Sequence, residues 1–124
     1  MFIDAVLETL RYQRRLVEGA VGQLSDAQVH QSFAPGTNCI AVILKHLAGN
    51  LRSRWTDFLT TDGEKPDRDR ESEFSDDGLT RDQALVRWTS AWDIMARQVD
   101  ALTAEDLKTT VFIRGQAHTV PRAI

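Results

Sequence analysis

A chain of 124 residues, 42% hydrophobic and 27% charged, has the make-up of one ordinary domain, able to bury roughly two-thirds of its unfolded surface. A formal charge of -3 denies it the basic face that a phosphate backbone requires, so no nucleic-acid partner is expected. Its one cysteine, Cys39, excludes an internal disulfide framework and any paired-cysteine zinc ribbon.

The first residues, Met1-Phe2-Ile3-Asp4-Ala5-Val6-Leu7-Glu8, carry acids where a signal peptide would carry bases, and the apolar run Cys39 to Leu44 is too short to span a bilayer. The expected location is cytoplasmic, with no membrane partner. Ile3, Val6, Leu7, Leu10, Val17, Val21 and Leu24 recur at three- and four-residue steps, which predicts a helix from Phe2 to Gln23. Ser25-Asp26-Ala27-Gln28 matches a capping box and opens a short helical turn that ends before Pro35-Gly36. Asn38 is the predicted N-cap of a second long helix, striped by Ile40, Ile43, Leu44, Leu47, Leu51, Trp55, Phe58 and Leu59 and closed by Asp62-Gly63. His46, Asn50 and Arg54 fall on the rim of that stripe.

From Thr61 to Leu79 periodicity is lost, and eight acids stand against three bases. A connection this long predicts a crossover between helices, in place of simple up-and-down hairpins. Thr80-Arg81-Asp82-Gln83 forms a second capping box before a third helix striped by Leu85, Trp88, Trp92, Met95, Val99 and Leu102. Thr109 to Val120 suits a hairpin turning at Gly115, and Pro121 marks the entrance of a fourth helix. The expectation is one helical domain over 1–124 that stops at the start of that helix, leaving apolar stripes uncovered.

Three histidines are the first candidates for chemistry. His46 reads either as a metal ligand or as a helix-margin histidine satisfied by a hydrogen bond. His30 and His118 form no helical His-x-x-x-His pair and read as turn or surface residues. Cys39 opens the second helix, a position where thiols become reactive, but no histidine follows in the first turn, and a small buried role fits it better. Asp67-Arg68-Asp69-Arg70-Glu71 fails as a calcium loop, because Ser72 stands at the sixth position and Gly78 at the twelfth. No phosphate-cradling loop, nucleophile elbow or dinucleotide fingerprint occurs, so the catalytic residues remain unassigned.

The segment from Asn38 through His46 and Asn50 to Leu59, continuing to Pro66, resembles the DinB/YfiT-like superfamily. So do Trp88 with Trp92, and the run Arg114-Gly115-Gln116-Ala117-His118-Thr119-Val120. The likeness is narrower still to a bacterial subgroup of unknown function, and it covers nearly the whole chain. It implies an all-α four-helix bundle with a long crossover between helices two and three and a small hairpin before helix four. It further implies a divalent metal, zinc or nickel, bound by one histidine on helix two, matched by His46, and by two on helix four that would lie beyond Ile124.

Relatives of this kind include thiol S-transferases and hydrolases that act on electrophilic small molecules, often with a small thiol, and pair as homodimers. The alternative is a non-catalytic helical dimerisation or binding module that lacks a complete metal site.

Overall fold

The structure is a computed structural model and describes residues 2–124. Three long helices, α1 (Phe2–Val21), α3 (Ile40–Trp55) and α4 (Arg81–Asp100), are joined by shorter pieces. These are the one-turn helices α2 (Asp26–Val29) and α5 (Val120–Ala123), 3-10 turns at Glu71–Phe74 and Asp106–Lys108, and an antiparallel pair, β1 (Thr110–Ile113) with β2 (Gln116–Thr119). No helix among the described residues is long and apolar enough to cross a membrane.

Both capping boxes form as their sequences predict. The Gln28 amide donates to Ser25 Oγ at 3.1 Å, and Gln28 Oε1 accepts from the Ser25 amide at 2.9 Å. Thr80 and Gln83 repeat the arrangement at 3.2 and 3.0 Å, and α4 starts at the next residue, Arg81. These motifs need only residues three apart, so local sequence suffices to specify them.

The limits of α3 differ from expectation at both ends. Its N-cap is Cys39 in place of Asn38, with no side-chain hydrogen bond to the first turn. It stops at Trp55, not at Asp62-Gly63, because Thr56 turns extended and Asp57 follows at a positive φ of 49°, a conformation aspartate tolerates better than most residues. The apolar spacing nevertheless continues: Phe58 is buried from the turn beyond, its ring 4.6 Å from that of Trp55. Burial maintained the periodicity after the helix had ended. At α1 the difference is smaller, the helix closing at Val21 and not Gln23.

Asp62, expected to close a helix, instead clamps the hairpin. Its Oδ1 accepts from the Glu64 and Arg114 amides at 2.7 and 2.8 Å, and its Oδ2 from the Gly115 amide at 2.8 Å. Arg114 and Gly115 lie at φ 53° and 75°, the paired positive values of a two-residue hairpin turn, so the turn falls where the sequence predicts it. The hairpin delivers the chain to α5, with Pro121 in its first turn and Val120 and Ala123 buried.

The core lies chiefly between α3 and α4, with α1 laid on α4. Leu44 and Trp55 of α3 face Trp88, Trp92, Met95 and Val99 of α4, joined by Leu7 and Val21 of α1. The two tryptophan rings meet at 5.4 Å, tilted by 56°. Val99 is fully buried, so Val99→Ala removes two packed methyl groups. It is expected to cost about 2 kcal/mol in urea unfolding with little change in slope.

Candidate functional site

α3 carries His46 to its surface two turns from the helix start, where the crossover folds back over it. Nδ1 of His46 is 2.9 Å from Oε1 of Glu73, a residue of the 3-10 turn that is only 6% exposed. The same carboxylate accepts a forked pair of bonds from Arg68, Nε to Oε2 and Nη2 to Oε1, both at 2.9 Å. Phe74, the next residue, stacks on the His46 ring with centroids 4.9 Å apart.

Burial alone would raise the pKa of Glu73, but hydrogen bonds from Arg68 and His46 outweigh it and hold the carboxyl below its ordinary range. Arg68 is correspondingly raised, first by its hydrogen bond to Glu73. Arg68 and Glu73 therefore balance each other's charge, and His46 meets the same carboxylate through Nδ1. Its Nε2 has no hydrogen-bond partner among the described residues.

Gly49, one turn beyond His46, makes this possible. A Cβ built there would collide with Oε2 and the carboxyl carbon of Glu73 and crowd Oε1. A glycine inside a helix costs about 1 kcal/mol relative to alanine, and here it creates the recess in which the carboxylate sits. A cleft of ≈ 710 Å³ opens beside this recess, with Gly49, Arg52, Arg68 and Glu73 in its wall.

Asn50 and Arg54 follow His46 on the same half-buried rim, and Nε of Arg54 is buried without a hydrogen-bond partner. Among the described residues no two further His, Cys, Asp or Glu ligand atoms gather with His46. His118 sits half-buried on β2, opposite Val111. His30, read as a turn residue, does cap α2, but both its nitrogens are engaged: Nδ1 faces Asp76 Oδ2 at 2.6 Å and Nε2 faces the Leu79 carbonyl at 2.5 Å. Glu73 and Asp76 were two acids in an acidic loop, and pattern alone did not separate them from their neighbours.

Gly49→Ala is expected to push Glu73 off α3 and lower stability by about 1–3 kcal/mol, read by chemical denaturation. The His46 imidazole resonances would shift as the Nδ1 bond is lost. His30 holds its proton above the ordinary 6.5, first through the hydrogen bond to Asp76 and then through the Leu79 carbonyl. A raised folded value stabilises fully below pH 6.5 and is lost as pH climbs through the folded value. Urea midpoints of the chelator-treated chain should therefore fall across that alkaline limb, and His30→Gln should flatten it.

No curated protein and no solved structure matches the chain. A family model does match, over residues 1–124, and its description is Protein of unknown function (DUF1572). With the match running the whole length, the chain belongs to the DUF1572 family.

Proposed function

We propose that His46 is one ligand of a divalent metal centre in a DinB-like enzyme, a thiol S-transferase or hydrolase acting on a small electrophilic molecule. No two further ligands gather with His46 among the described residues. The observation that carries the reading is the bond from His46 Nδ1 to the buried, Arg68-paired carboxylate of Glu73. Metal-binding histidines characteristically donate their second ring nitrogen to a carboxylate or carbonyl, which fixes the tautomer and aims the other nitrogen.

Two further observations support it. The DUF1572 family is DinB-like. The adjoining cleft also falls within the range of volumes that accommodate small molecules. A divalent ion, when bound, lowers the pKa of a coordinated thiol or water and yields a nucleophile near neutral pH. The chain's own contribution is to orient His46 through Glu73, and to shield one face of its ring with Phe74.

A second reading, a helical module that dimerises or holds a partner, draws on a specific feature of the same face. Ile43, Leu47 and Phe74 are 42%, 39% and 45% exposed around His46, an apolar border available to another helix. Metal analysis of the purified protein separates the two. The enzyme reading expects His46→Ala to lose about one equivalent of bound zinc or nickel, and Glu73→Gln to weaken it about 10–100-fold. Unchanged metal content in His46→Ala would overturn that reading and leave the module.

A further inference from the structure

We propose that His30, Cys39 and Asp76 form a second, separate binding site for a thiophilic divalent cation such as zinc. The three residues come from three different segments: the end of α2, the N-cap of α3 and the close of the crossover. Their ligand atoms nonetheless all lie within 4.8 Å of one another, and they are the one such group of three among the described residues. Asp76 Oδ2 is the hub, 2.6 Å from His30 Nδ1 and 3.6 Å from Cys39 Sγ.

Donor chemistry and packing both suit a metal. Tetrahedral zinc with sulfur, nitrogen and oxygen ligands places neighbouring donors roughly 3.3–3.6 Å apart, so Cys39 and Asp76 already stand at the right spacing. The His30–Asp76 pair is shorter because a proton lies between them, and it must open by about an ångström. The outer contacts are in place: His30 Nε2 points its hydrogen at the Leu79 carbonyl, and Asp76 Oδ1 accepts from the Gly78 amide at 2.9 Å. Such second bonds orient metal ligands.

Cys39 is buried, while the side chains of His30 and Asp76 are 24% and 35% exposed, leaving a route in from solvent, which can supply a fourth ligand. Binding substitutes one dication for the two protons now shared with Asp76, one from the Cys39 thiol and one from His30, and both leave to solvent. A thiolate beside an imidazole selects zinc, cobalt or similar ions over magnesium and calcium, which require oxygen cages. Bound there, the ion would tie α2, α3 and the crossover together at one end of the molecule.

Cobalt(II) is the probe, because Cys39 is the chain's sole cysteine and any thiolate-to-cobalt charge-transfer band must arise from it. Added to the chelator-stripped full chain, cobalt is expected to produce that band with tetrahedral visible absorption, saturating at one equivalent and displaced by zinc. Cys39→Ser should abolish the band, and His30→Gln and Asp76→Asn should each weaken binding by at least about tenfold. His46→Ala should leave the band unchanged, so this site and the one at His46 stand or fall separately. No band from a chain shown by circular dichroism to be folded would overturn the proposal. So would equal affinity in folded His30→Gln and Asp76→Asn, which retain the thiol and decide the matter even if Cys39→Ser does not fold.

Discussion

The carboxylate of Glu73 lies in the recess left by Gly49, its oxygens shared between Arg68 and His46. An ionised carboxylate taken from water without partners costs several kcal/mol, so the crossover cannot settle on α3 by apolar contact alone. Arg68 and Glu73 are five residues apart and form their forked pair within the crossover itself. That pair docks as a unit, and His46 is the contact that joins it to the helix. Next to it, Lys45 reaches the carbonyls of Ser72 and Ser75 at 2.6 and 3.0 Å and the carboxylate of Asp77 at 2.8 Å. Two consecutive residues of α3 thus hold the crossover on either side of Phe74.

This explains how so acidic a segment stays close to the body of the molecule. Eight acids between Asp62 and Asp77 would repel one another in an open loop, yet several have individual assignments. Asp62 accepts three backbone amides and fixes the hairpin; Asp77 binds Lys45 and Arg87; Asp76 binds His30. The acid-rich composition is therefore a set of distinct anchors, and only some of it is a solvated surface.

What the sequence could reveal divides along the range of the interactions. Capping boxes at Ser25 and Thr80, the turn at Arg114-Gly115 and the apolar stripes of α1 and α4 depend on residues within a few positions of each other, and these were legible. The end of α3 was not, because Phe58 kept the apolar rhythm after Asp57 had turned the chain. Glu73 lies 27 residues from His46, and Asp76 lies 46 from His30. Nothing local separates either from neighbouring acids. One signal was present: Gly49, a helix-interior glycine one turn from the candidate histidine, marks a close approach by something. His46 stood out as a candidate in the sequence, but its partner Glu73 did not.

The contrast between His30 and His46 shows what that orientation contributes. Both imidazoles meet a carboxylate through Nδ1, yet the carboxylates differ. Asp76 has only hydrogen-bond donors of modest charge around it and draws a proton onto His30, whose Nε2 is also aimed at a carbonyl. Glu73 already has a full counter-charge in Arg68, and its contact with His46 Nδ1 leaves the far nitrogen unengaged. His46 would thus meet an ion with one ring nitrogen already unengaged. His30 must first give up a proton and loosen from Asp76. A centre at His46 would be governed by the supply of further ligands, and one at His30 by the affinity of the ion for sulfur.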